Sequence, residues 1–186
     1  MSFDYFVVVH RDAWPTAEAV QESLEELGYP LALATAPSTP FSVDAGTFSL
    51  PVIFEGRPVM LEADIEQATD ADDSDSLFGY IAEVAASNFD ISNGDYFLTL
   101  TFRSDADQIR AGLYLAAAMI KSFGGYGFEN QAESHGALDF ANQLLAEASN
   151  AAAFERPTPS YQLASTPIIS ERPSISGGFL GLFRRK

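Results

Sequence analysis

Residues Tyr96–Phe128 read YFLTLTFRSDADQIRAGLYLAAAMIKSFGGYGF, and this stretch decides the fold class. Tyr96, Leu98, Leu100 and Phe102 alternate with Phe97, Thr99 and Thr101, which is the two-residue period of a strand with one fully apolar face. Ser104 stands where a helix N-cap belongs, and Asp105 and Asp107 put negative charge in the first turn, where the helix dipole favours it. Ile109, Leu113, Ala116, Ile120 and Phe123 then recur at helical spacing. Leu115, Ala117, Ala118 and Met119 fill much of the other side, so the helix is expected to be buried on more than one face. Gly124 and Gly125 end it, and Tyr126–Phe128 begins another strand.

Upstream of this unit, Phe3–Val9 is apolar on both faces, as in the interior of a sheet. Pro15 and Thr16 open a helix with Ala17, Val20, Leu24 and Leu27 inward, Glu18, Glu22, Glu25 and Glu26 outward, and Gly28 at its end. Leu31–Ala34 is a short extended piece, and residues 35–47 make a long loop. Leu50–Glu55 and Pro58–Glu66 read as a hairpin turning at Gly56 and Arg57. On its second strand Val59, Leu61, Ala63 and Ile65 point one way, while Met60, Glu62, Asp64 and Glu66 point the other and form a solvated face. The acidic segment ATDADDSDS precedes a helix with Leu77, Ile81 and Val84 on one side, beside Phe78 and Ala85, and Asn93-Gly94 turns the chain into the central strand. Ser134 is placed to cap a last helix with Ala137, Ala141, Leu144 and Ala148, flanked by Leu138 and Leu145.

The expected class is α+β, with helices packed on a mostly antiparallel sheet. The first six elements follow the βαββαβ order of a ferredoxin-like sandwich, followed by an αβα extension. Residues 1–150 are read as one domain. From residue 151 to 186 the chain becomes Pro- and Ser-rich, which describes an extended tail, and it ends in GGFLGLFRRK.

The 186-residue chain has no cysteine, which excludes disulfides, thiolate metal sites and a cysteine nucleophile. Its N-terminus lacks a basic signal-peptide start, and no run approaches ~20 apolar residues, so a cytoplasmic protein without a transmembrane segment is expected. Ten basic residues face 26 acidic ones, for a net charge of −16. Residues 151–186 hold five basic and two acidic residues, or +3, which leaves five basic and 24 acidic residues, or −19, in the first 150. Such a body repels nucleic acid and attracts basic proteins.

No catalytic set, cofactor motif or metal site emerges. Taking Asp70 as a first calcium ligand, an EF-hand would need glycine and glutamate where Asp75 and Ile81 stand. Alternation on an exposed strand explains the paired carboxylates Glu62, Asp64 and Glu66 without glycosidic chemistry. His10-Arg11-Asp12 has the letters of a kinase catalytic loop, but the asparagine and the glycine-rich loop that such a loop needs are missing. His10 and His135 are the available histidine bases, and no G-x-S-x-G elbow accompanies them. Gly124-Gly125-Tyr126-Gly127 follows a helix, the wrong end for a phosphate cradle; Arg103-Ser104 sits at the right end, with Arg103 placed to pair with Asp107.

The expected function is therefore a non-enzymatic binding domain whose acidic face engages a basic protein, in the manner of an immunity or antidote protein. Its partner-binding residues are Glu62, Asp64, Glu66, Asp70, Asp72, Asp73 and Asp75, with Phe179, Leu182 and Phe183 at the tail tip. The alternative is a small-molecule enzyme or sensor with a pocket formed by His10, Arg11, Asp12, Trp14, Arg103 and Ser104. A third reading is self-association, with the basic tail tip docking on the acidic body and joining copies into a homo-oligomer.

Overall fold

The computed structural model describes residues 3–34, 41–42, 49–69, 71–73, 75–103, 105–131 and 134–150. Strand β1 (Phe3–Val9) leads through a single 3-10 turn (Arg11–Ala13) to helix α1 (Ala17–Glu26) and strand β2 (Leu31–Leu33). The hairpin β3 (Leu50–Phe54) and β4 (Arg57–Gln67) precedes α2 (Leu77–Ala85), and β5 (Tyr96–Phe102) precedes α3 (Ala106–Phe123). Strands β6 (Tyr126–Glu129) and β7 (Ser134–Gly136) and helix α4 (Leu138–Ser149) complete the described chain. The four α-helices pack on one seven-stranded sheet of order β2-β3-β4-β5-β1-β6-β7, and every neighbouring pair is antiparallel. The fold is α+β, as the alternation of apolar residues implies.

The strand order departs from the ferredoxin-like arrangement. That sandwich places the first and third strands of its βαββαβ unit side by side and the fourth at an edge. Here the fourth, β5, lies between β1 and β4. Its composition requires the interior: Leu98, Leu100 and Phe102 are buried on one face, and Phe97 is buried on the other. An edge strand could not cover both sides of such a segment.

The first face of the sheet carries α1, α3 and α4. Tyr5, Val7 and Val9 of β1 meet Leu61 and Ala63 of β4 and Leu98, Leu100 and Phe102 of β5 under these helices. Helix α3 is buried nearly all round, with Ala111, Gly112, Leu113 and the whole run Leu115–Ile120 enclosed. A Cβ on Gly112 would lie 2.3 Å from Phe102 Cε1, and one on Gly127 would lie 2.5 Å from Phe140 Cδ1. Both glycines are therefore fixed by close packing, the first of helix on sheet and the second of α4 over β6.

The second face carries only α2. Ile81 and Ala85, with Phe78 partly buried, pack on Phe6, Val8, Phe97, Tyr126 and Phe128. Leu77, expected inward, is 43% exposed, because Phe78 takes the place against Phe97 with ring centroids 4.6 Å apart.

Three local expectations are corrected. Asp105 is the N-cap of α3, its side chain accepting from the Gln108 N–H at 2.9 Å, and Ser104 lies outside the described residues. Ser134 belongs to β7 and not to a cap; α4 starts after Ala137 with no side-chain cap. The β3–β4 turn is Glu55-Gly56, both at positive φ, with Phe54 paired to Arg57. Helix α1 is capped by Thr16 as its sequence implies, the hydroxyl accepting from the Ala19 N–H at 3.0 Å.

Candidate functional site

Because β4 alternates, its even-numbered residues all face the side opposite α3, and the register extends their rows across the sheet. Glu62 lies opposite Thr101, which lies opposite Asp4; Asp64 lies opposite Thr99 and then Phe6; Glu66 lies opposite Phe97 and then Val8. The last two rows run from a carboxylate into the apolar residues beneath α2. On the other side of the carboxylates, Met60 lies opposite Pro51, and Pro58 opposite Ile53 and then Ala32. Met60 is 51% and Ile53 37% exposed. Among the described residues this half of the second face carries no helix, so the sheet presents a mixed surface: an apolar row of Ile53, Pro51 and Met60 beside a carboxylate row of Glu62, Asp64 and Glu66.

The three carboxylates differ in their ties. Glu62 pairs with Arg103, its Oε1 2.8 Å from Nε. Asp64 Oδ1 accepts from the Ile65 N–H at 2.8 Å. Glu66 has its pKa raised above the usual carboxylate range, first by partial burial of its carboxyl and then by the neighbouring Asp64 charge. Asp4 is a fourth carboxylate on this face that the sequence reading missed; its Oδ1 accepts from Thr101 Oγ1 at 2.7 Å. Its signal was available, since Asp4 continues the even-numbered face of β1.

Strand β4 delivers the chain into the acidic loop. Asp72, Asp73 and Asp75 are exposed there, and Asp70 lies outside the described residues. Asp73 Oδ1 accepts from the Asp75 N–H at 3.0 Å, and the Asp73 carbonyl accepts from the Ser76 N–H and hydroxyl, so this aspartate shapes the start of α2. The Asn93 amide ties the loop to the turn before β5: its Oδ1 accepts from the Ala71 N–H, and its Nδ2 donates to Asp72 Oδ2. Among the described residues no group of three or more His, Cys, Asp or Glu is placed to hold a metal ion.

The body's described cations are already engaged. Arg57 pairs with Asp107 at 2.8 Å and Arg110 with Glu55 at 2.7 Å, while Arg11 lies 3.6 Å from Asp12 and Lys121 donates to Asn142. Arg103 thus serves Glu62 rather than Asp107, which Arg57 reaches from the hairpin turn. The negative excess is left to act outward.

The residues of the alternative pocket do not converge. Val9 pairs with Tyr96 and Phe3 with Phe102, so His10 and Arg103 sit beyond opposite ends of the β1–β5 pair, roughly 20 Å apart at strand rise. At the His10 end, the buried Asp95 accepts from the Arg11 and Ser92 N–H groups at 2.9 Å each and meets His10 Nδ1 at 3.1 Å. The imidazole stacks on Phe89 at 4.3 Å. This clasp joins the turn after β1 to the turn before β5. Trp14 turns away to Phe41, donating from Nε1 to its carbonyl at 2.8 Å and stacking on Tyr96 at 4.8 Å. Arg11 and Asp12 are exposed beside the clasp. His135, the other histidine, meets the Tyr126 hydroxyl at 2.5 Å on β7.

The tail residues Phe179, Leu182 and Phe183 lie outside the described residues. Among the described residues no helix is long and apolar enough to cross a membrane. Compared with known proteins, the chain matches no family model, no curated protein sequence and no solved structure.

Proposed function

We propose that this chain is a protein-binding domain, and that the open half of its second sheet face receives a basic partner. The observation that carries the reading is the juxtaposition of Ile53 and Met60, exposed, with Glu62, Asp64 and Glu66 on adjoining positions of the same face. An apolar centre supplies affinity, and a charged flank supplies orientation and encounter rate. Neutralisation of a basic toxin, as an immunity or antidote protein does, is one concrete form, and the −19 body supports it by charge.

The test is capture from the source cell's lysate on immobilised protein, with elution by rising salt and identification by mass spectrometry. Wild type is compared with Met60→Asp and with the combined Glu62→Lys, Asp64→Lys, Glu66→Lys variant. A basic protein retained by wild type, weakened at least tenfold in both variants, and with a flatter salt dependence in the second, is the expected result. Retention unchanged by both variants would end the proposal.

A further inference from the structure

We propose that the segment Phe179–Lys186 of this same chain is a ligand of the open half-face, so that the protein regulates access to its own binding surface. The inference rests on the preceding reading of that face as a protein-binding surface and goes beyond it by naming an occupant.

Three features of the chain match the face to this segment. The first is pattern: Phe179, Leu180, Leu182 and Phe183 precede Arg184, Arg185 and Lys186. The face repeats that order in complement, with the apolar row of Ile53, Pro51 and Met60 followed by Glu62, Asp64 and Glu66. The second is length. An eight-residue extended segment spans about 25 Å, close to the distance along β4 from Pro58 to Glu66 at the same rise per residue. In that alignment four apolar side chains meet the apolar row and three cations meet the carboxylates. The third is the tether. Residues 151–178 separate the segment from the end of the described chain, and a flexible linker of this size spans roughly 30 Å on average. Such a tether gives an effective concentration of about a millimolar, so a contact of modest affinity is occupied without a partner. A basic partner must then displace the tip, which sets a threshold for binding.

A synthetic fluorescent peptide, GGFLGLFRRK, tests this against three full-length proteins: wild type, a tip variant (Phe179→Ser, Leu182→Ser, Phe183→Ser), and the tip variant carrying Met60→Asp. A leucine/lysine peptide of equal length and net charge is the control probe. The peptide is expected to bind the tip variant at least tenfold more tightly than wild type, whose own tip competes, and to lose at least tenfold on Met60→Asp. Equal binding to wild type and tip variant, or indifference to Met60→Asp, would overturn the proposal. A wild-type dimer by light scattering that reverts to monomer in the tip variant would also overturn it, since the tip would then act between copies. If the control peptide binds in a Met60-dependent way and GGFLGLFRRK does not, the self-ligand proposal fails and the binding-face reading stands. If neither peptide binds and lysate capture also fails, both fall.

Discussion

The two halves of the sheet's second face are built on the same strands and the same alternation, yet one is roofed and the other is open. Under α2 the outward positions of β1, β5 and β6 are Phe6, Val8, Phe97, Tyr126 and Phe128, all buried. On β3 and β4 the equivalent positions are Pro51, Ile53, Met60, Glu62, Asp64 and Glu66, with Ile53 and Met60 exposed. A sheet needs cover where its alternate positions are large and apolar, and can do without it where carboxylates stand between them. The boundary runs through β5, where Phe97 meets α2 and Thr99 and Thr101 are half-buried. The covered half serves stability, and the open half is where binding is proposed.

The largest expected effect lies on the covered half. Phe97 is fully buried, packs against Phe78, and adjoins Val8 and Glu66 in register. Phe97→Ala should cost about 3–5 kcal/mol by urea unfolding, as truncation of a buried aromatic does. A loss near 1 kcal/mol would mean that α2 is a loose cover, and the contrast between the halves would collapse.

A middle-sized effect is expected at the clasp that fixes the covered end of the sheet. Asp95→Ala leaves the Arg11 and Ser92 N–H groups without their acceptor and removes the partner of His10. The expected cost is about 1–3 kcal/mol, with faster amide exchange at those two residues. Unchanged exchange there would show that water replaces the carboxylate without loss.

Much of this organisation is legible in the sequence. The alternation of β4 separates Leu61 and Ala63 from Glu62 and Asp64, and the run Leu113–Ile120 announces a helix enclosed on several sides. The strand order is not legible, because pairing partners are set by long-range fit and the spacing of elements is compatible with several orders. Ile53 could not be assigned as an exposed anchor, since LPVIF is apolar at every position and gives no sign of which side is covered. The alternative pocket failed for a related reason: His10 and Arg103 each follow a strand and look equivalent in sequence, but antiparallel pairing of β1 with β5 sends them to opposite ends. Asp95 was missed because an aspartate after Asn93-Gly94 reads as turn composition, and its three contacts come from distant segments.

At the boundary, Glu66 offers a smaller and signed effect. Its folded pKa lies above the ordinary value, by partial burial and then by Asp64, so the folded state holds its proton more tightly than the unfolded state does. Across the window from the ordinary glutamate pKa up to the raised one, stability should therefore fall as pH rises, through this group. Glu66→Gln should remove that contribution and raise stability at pH 7 by no more than about 0.5 kcal/mol, a surface-scale effect. At pH values below the ordinary glutamate pKa, where the carboxyl is protonated in both states, the difference should vanish. A variant less stable than wild type at pH 7 would mean that the charge is held by a favourable contact and belongs with the roofed half.

The smallest expected effect is also the one that defines the open half. Met60 is 51% exposed and faces away from the main core, so Met60→Lys should change unfolding stability by no more than about 0.5 kcal/mol. The same position under a roof would behave as Phe97 does, because a charge buried there would have no partner. A cost above roughly 2 kcal/mol would therefore show that part of the chain covers Met60, since only burial makes a lysine that expensive. Repeating the substitution with Phe179, Leu182 and Phe183 replaced by serine separates the sources of such a cost. If it disappears, the tail tip is the cover; if it persists, the roof belongs to the folded body, and the open half-face is not a surface at all.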